Sequence, residues 1–354
     1  MATEALAVKY RPKTFNDMTE QSAIKDILCN QIKTKTFKHG YLFTGPAGTG
    51  KTTSARIFAN MINGGKGNPI EVDAASNSGV DNIRQIIDDA KRKPLDAEYK
   101  IFIVDECHSL SNGAWQALLK TLEEPPKFTV FIFCTTDPQK IPNTILSRVQ
   151  RYNFQKISNK GIVKRLEYIC LAENSQDVND PDLRDIGDII RYPDALEYIA
   201  KVCNGGMRDA ITLMDKCLSL SHDLTLENVL KTIGGEDYNT FFDFLFALVK
   251  CDKQTCIGII EETYNSGKDV KQFLKDFSKF ILDVEKYLIY EDTDYINIPA
   301  TEENIKDLEE LTEHKKSVFD TMDFIVSLNN QIKWDSDPKT LIELSILIYC
   351  GKEN

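Results

Sequence analysis

The stretch YLFTGPAGTGKTTSARIFA, residues 41–59, decides the fold. A short apolar run meets the pattern G-x-x-x-x-G-K-[ST] and passes directly into a helical segment. In that setting glycines let successive backbone N–H groups turn inward, and the start of the following helix adds a dipole that favours an anion. The loop formed by Gly45, Pro46, Ala47, Gly48, Thr49, Gly50, Lys51, Thr52 and Thr53 therefore reads as a phosphate cradle. Lys51 is placed to reach the β- and γ-phosphates of a nucleotide, and the Thr52 hydroxyl to ligate Mg²⁺. A glycine-rich turn alone arises by chance. Strand, loop, lysine, hydroxyl and helix in this order do not.

Outward from the loop, IEVD (70–73), IFIVD (101–105) and TVFIFC (129–134) join YLFT (41–44) as short, nearly continuous apolar runs between helical patterns. They predict an α/β domain whose parallel strands are covered on both faces. IFIVDE (101–106) delivers two carboxylates at a strand's C-terminal end: Asp105 for Mg²⁺ and Glu106 to polarise an attacking water. An apolar run ending in two acids is common, but downstream of a phosphate loop the pair implies hydrolysis as well as binding. The strand ending in Thr135 and Thr136 brings hydroxyls beside those acids if it neighbours IFIVDE, although threonines also end strands simply as good strand formers. GGMRDA (205–210) sets Arg208 at the start of a helix, where the dipole disfavours a cation; this hints at another reason for its presence, beside the plain reading of a solvent-facing arginine.

Composition narrows the class. Hydrophobic residues at 42% and charged residues at 27% are the balance of a folded globular chain. No apolar run reaches the length of a membrane span, FFDFLFALV (241–249) being short and carrying an acid. The N-terminal MATEALAVKYRPKTF lacks the apolar core of a signal peptide, so the expectation is the cytoplasm. Nine cysteines fall singly, with no C-x-x-C pair, and read as reduced, mostly buried small residues. A formal charge of −11 argues against tight autonomous DNA binding while leaving local basic surface, such as KTKTFKHG (33–40) and KRK (91–93), open.

After Phe154 the β signal fades. Ser158 looks like a helix cap ahead of Ile162, Leu166, Ile169 and Cys170 at helical spacing, and ALEYIAKVC (195–203) and MRDAITLMDKCLSL (207–220) read as further helices. From Glu236 on, the pattern is helical: Phe273, Phe277, Phe280, Ile281, Val284 and Leu288 form one apolar stripe, and Lys339 to Cys350 has so little polar face that burial is expected. The expected architecture is α/β plus all-α, in three domains: 1–156, 157–235 and 236–354.

In this order the motifs resemble the clamp-loader branch of the AAA+ ATPases, and within it most closely the bacterial DNA polymerase III gamma/tau family. The matching stretches are LAVKYRPKTFNDMTEQ (6–21), YLFTGPAGTGKTTSARIFA (41–59), EVDAASNSGVDNIR (71–84), IFIVDECHSLSNGAWQALLKTLEEPP (101–126), TTDPQKIPNTILSRVQRYNF (135–154) and NGGMRDAITLMDK (204–216). The resemblance implies an ATPase domain, a helical lid and an oligomerising helical collar, working with ATP and Mg²⁺. It implies that Tyr10, Arg11 and Pro12 line the adenine pocket, that Thr136 is the sensor 1 residue, and that Arg208 is the sensor 2 arginine. Arg148, in ILSRVQ (145–150), matches the arginine that acts on ATP held by the adjacent subunit, and Asn77 and Ser78, opening a helix NSGVDNIR, match positions that face duplex DNA. The implied partners are other loader subunits in a five-membered ring, a sliding clamp and primer–template DNA.

The chain also departs from the family. NGGKGNPI (63–70) carries none of the four zinc-binding cysteines found there in bacterial relatives, Val149 replaces the cysteine beside the finger arginine, and the chain ends at Asn354 without the longer relative's extension. Such a compact form would suit a phage replisome. Two other readings stay open: a non-catalytic structural subunit of the same loader, against which Lys51, Asp105, Glu106 and Arg148 weigh, and a DNA motor ATPase of the branch-migration type, which would call for a winged-helix C-terminus.

Overall fold

The computed structural model describes residues 4–174, 193–221, 223–233, 238–299, 301–333 and 335–351. The four apolar runs become β1 (Gly40–Thr44), β2 (Ile70–Asp73), β3 (Lys100–Asp105) and β4 (Thr129–Thr135). A fifth strand, β5 (Gln150–Asn153), has no apolar run to announce it, since only Tyr152 of its residues is buried. Its pairing with β1 supplies the hydrogen bonds that its side chains do not advertise. All pairings are parallel, and the strand order is β2-β3-β4-β1-β5.

Alternation along the central strands feeds two cores, as the period of two dictates. Tyr41, Phe43, Ile101, Ile103, Val130 and Ile132 point to one face, where Ile24 and Leu28 of α2 (Ser22–Thr34) and Ala55 and Phe58 of α3 (Lys51–Ile62) cover them. Leu42, Phe102, Val104, Phe131 and Phe133 point to the other, against Ile83 of α4 (Val80–Ala90) and Trp115 and Leu118 of α5 (Asn112–Glu123). Three central strands are thus covered on both faces, as expected. β2 is not: it forms an edge, and Ile70, Glu71 and Asp73 are exposed.

The other helices up to Ile233 are α1 (Leu6–Lys9), α6 (Asn143–Leu146), α7 (Asn159–Asn174), α8 (Pro193–Val202), α9 (Met207–Leu220) and α10 (Leu226–Ile233). Ser158 does cap α7, its hydroxyl accepting from Gly161 N at 3.1 Å. α7, α8 and α9 pack on one another, burying Ile162, Leu166, Ile199 and Met214, and α1 packs on α9, where Leu6 N donates to Asp215 Oδ2 at 3.0 Å. By contact the chain divides into two compact units, Met1–Val229 and Leu230–Asn354. The boundary expected between 235 and 236 lies outside the described residues.

The second unit is built from α11 (Tyr238–Val249), α12 (Lys253–Asn265), α13 (Val270–Tyr290), α14 (Glu302–Thr312), α15 (Lys315–Ile332) and α16 (Pro338–Tyr349). The whole apolar stripe of α13 is buried, and Phe277 meets Phe244 of α11 edge-on with centroids 4.8 Å apart. Each such phenylalanine contributes roughly 1.5–3 kcal/mol by leaving water. Burial of α16 is the expectation that fails: Ile342 and Ile346 are buried, but Leu344 is 53% and Ile348 60% exposed, with Leu347 exposed beside them. The unit's own helices cover only one side of it.

Candidate functional site

Because the sheet is parallel, β1, β3 and β4 end on the same side, and the phosphate loop, the two acids and the two threonines meet there. This is the crevice at the carboxyl ends of strands where α/β sheets bind ligands. The loop from Gly45 to Gly50 is shaped by backbone that side chains resist: Gly48 has φ +70°, and a Cβ on it would lie 2.9 Å from Gly206 Cα. That approach lets Gly48 O accept from Met207 N at 3.1 Å, tying the loop to the first turn of α9. Lys51 opens α3, and its ammonium donates to Gly45 O at 2.9 Å and Pro46 O at 2.7 Å. Burial pulls the Lys51 pKa below the ordinary lysine range, while Glu106, Cys134 and Asp105 pull the other way.

The acids and hydroxyls form one chain of contacts. Thr52 Oγ1 donates to Asp105 Oδ2 at 2.8 Å, Glu106 N donates to Asp105 Oδ1 at 3.0 Å, and Thr136 Oγ1 donates to Glu106 Oε2 at 3.1 Å. Adjacency of β3 and β4, the condition on which the role of the threonines rested, holds. Glu106 itself stands at φ 44°, a left-handed conformation that turns the chain sharply at the strand's end. Below it, burial foremost and then the neighbouring acids push the Cys107 and Cys134 thiols well up, so neither is a nucleophile. A hydroxyl and a carboxylate in contact are hard oxygen donors of the kind Mg²⁺ takes, and positive-φ glycines leading into a helix N-terminus suit phosphates. The residues present fit a magnesium nucleotide.

A cleft of about 360 Å³ joins this edge to α9 and the N-terminal segment. Tyr10, Arg11, Pro12, the loop from Ala47 to Thr53, Asp105, Glu106 and Arg208 all line it. The Tyr10 hydroxyl donates to Glu173, and its pKa is pushed up to about 12 by burial first and that carboxylate second. Met18, Arg56, Ile157 and Arg165 are among the lining residues that have no local signal in the sequence. Arg165, on α7, donates to Tyr10 O at 2.8 Å and so holds the N-terminal segment in place, while Arg56 pairs with Glu71 at 2.5 Å. Their guanidiniums add positive charge to a cleft that already holds Lys51, Arg11 and Arg208.

Arg148 lies elsewhere. It is exposed just after α6, bonded through its Nε to Glu123 Oε1 at 3.0 Å and through Nη1 to Thr144 O at 2.6 Å, and it does not line the cleft. Asn77 and Ser78 do not open a helix as expected: α4 begins at Val80, and Asn77 closes a turn by donating from its N to Asp73 O at 3.0 Å. Asp73 is the cause, since its side chain also takes Ala75 N and Ser76 Oγ.

A parallel sheet with a phosphate loop after β1, acids on β3, hydroxyls on β4 and an arginine from a packed helix defines a AAA+ P-loop protein. The fold matches a Thermotoga maritima RuvB variant with a TM-score of 0.50 at 20% identity, covering 68% of this chain and 80% of that one. The DNA polymerase III, delta subunit family matches residues 70–158. The tau subunit of DNA polymerase III from Bacillus subtilis is 34% identical over 373 residues, covering 99% of this chain, and that from Escherichia coli is 31% identical over 289 residues, covering 75% of it. The chain is a homologue of the bacterial DNA polymerase III tau/gamma subunits. It spans 64% of the length of the first of these relatives and 43% of the second.

Proposed function

We propose that the chain is an ATP-hydrolysing subunit of a clamp loader, which opens a sliding clamp and loads it on primer–template DNA during replication. One observation carries this reading: Thr52, Asp105, Glu106 and Thr136 form a continuous set of contacts, and the first three of them line a cleft that Arg208 also lines, in a homologue of the tau/gamma subunits. Residues 1–156 serve as the ATPase domain, 157–235 as the lid and 236–354 as the collar. When bound, magnesium ATP supplies the phosphoryl group that passes to water. Lys51 and the loop N–H groups hold its phosphates, Thr52 and Asp105 hold the cation, and Tyr10, Arg11 and Pro12 hold the base. Glu106 orients the water, with Thr136 beside it, and Arg208 reports closure of the lid.

Arg148 serves the nucleotide of the adjacent subunit in a five-membered ring; its exposure and its distance from the chain's own cleft fit that role. A trans-acting arginine contributes on the order of 10³–10⁵ in rate at comparable sites, so hydrolysis waits for correct packing. Asn77 and Ser78 meet the DNA by shape and phosphate, without sequence readout. Such a subunit works in the bacterial cytoplasm or in a phage-infected host. ATPase activity is expected to rise when clamp and primed DNA are added to the assembled ring, and an unchanged rate defeats the loading reading. Arg148→Ala should abolish the rise and leave ATP affinity intact; a loss of affinity would make it a residue of its own site. A branch-migration motor would separate strands in a helicase assay, and among the described residues the second unit has no strand from which to build a winged helix.

A further inference from the structure

Glu106 is a flexible side chain, 39% exposed, asked to hold a carboxylate at a fixed place. A glutamate left to itself spreads over many rotamers, and ordering it costs side-chain entropy. Productive geometry demands placement to within about 0.5 Å. Something beyond the Thr136 hydroxyl must restrain it, and the structure supplies a group.

The chain turns at Glu106 and winds through a short helical turn, Cys107–Ser109, pinned by the fully buried Cys107. This returns His108 to the side of the acid, with Nδ1 3.2 Å from Glu106 Oε2 and 3.1 Å from Thr135 Oγ1. The hydrogen bond of Nδ1 is the one to Thr135 Oγ1, and the approach to Oε2 is a close polar contact beside it. Thr135 is itself fixed: it is buried at the end of β4, and its hydroxyl accepts from Asp137 N at 3.0 Å. The imidazole, with only two torsions, is therefore anchored to the sheet through Thr135 and lies against the acid. Thr136 donates to the same oxygen, Oε2. Neither contact uses Oε1.

We propose that His108 is the positioning residue for Glu106: its imidazole, hydrogen-bonded to Thr135, stands against Oε2 and limits where the carboxylate can lie as it meets the attacking water. This rests on the hydrolytic reading of the site. The test is steady-state ATP hydrolysis by the full chain, assembled with clamp and primed DNA, for three variants. His108→Ala should lower kcat by ~10- to 100-fold, the usual cost of losing a group that orients a catalytic ligand, with KM, ATP affinity and Tm unchanged. His108→Asn, whose amide nitrogen reaches the place of Nδ1, should keep most of the rate. His108→Gln, which overshoots it, should lose rate like alanine, so the contrast between Asn and Gln decides even if the alanine variant does not fold. Wild-type kcat in His108→Ala or His108→Gln overturns the proposal, as does an equal loss in all three accompanied by a lowered Tm. Glu106→Gln separates the two levels: if it hydrolyses ATP normally the parent reading fails, whereas an inert Glu106→Gln beside a fully active His108→Ala sinks this inference alone.

Discussion

Gly48 shows how much of the site depends on an atom that is missing. Its φ of +70° suits glycine, and its nearest neighbour is backbone, Gly206 Cα, which cannot rotate aside. Gly48→Ala should cost more than about 1 kcal/mol of stability, since alanine at positive φ is strained. It should also push the first turn of α9 from the loop and carry Arg208 away from the cleft. The checks are a lowered Tm with weakened ATP affinity, and an alanine variant that binds normally would show the Gly48–Gly206 approach to be dispensable. Residues of this kind divide sharply in what the sequence reveals. Lys51, Thr52, Asp105 and Glu106 announce themselves because their spacing is local. Arg165, Arg56 and the Glu123 partner of Arg148 do not, because each meets its neighbour across the fold and leaves no period along the chain. His108 stands two residues from Glu106, yet its use follows from the turn that brings it back.

Among elements, the same limit takes a different form. Interior strands β1, β3 and β4 are legible as apolar runs, but an edge strand such as β5 is made by pairing, and a polar tetrapeptide carries no trace of that. Helix α16 was readable as apolar, but not as half uncovered, since periodicity gives a face and not its partner. Charge within helices is easier to read. On α14, Asp307 sits one turn after Glu303 and near Glu310 and Asp243 of α11; burial first, then these acids, raise its pKa, with Lys306 opposing. A carboxyl raised in the fold lends stability below the ordinary carboxylate range and loses it as pH rises through the raised value. At neutral pH Asp307 is therefore a repelling charge. Asp307→Asn should stabilise by about 0.2–0.5 kcal/mol, the scale of one like-charged i,i+4 pair, and the gain should vanish on acidification towards pH about 4. Thermal melts across that range check it; a gain that persisted in acid would assign the effect to something other than charge.

At the scale of the whole molecule, two units with separate cores imply two separable transitions. The aromatic core of the second unit shares no residue with the two cores that sandwich the sheet. Calorimetry should resolve two events, and magnesium ATP at 100 times its Kd should raise the first unit's transition alone, by about 2.7 kcal/mol. A single transition moved as a whole by nucleotide would contradict that division. Strand order adds a matter of timing. β1 lies between β4 and β5, pairing Gly40 with Phe131 and Tyr41 with Gln150. Contacts so distant along the chain form late. On a ribosome, the loop that holds the phosphates is therefore synthesised early but has no sheet to stand on until Asn153 has emerged, and nucleotide has no shaped site on a nascent chain shorter than that.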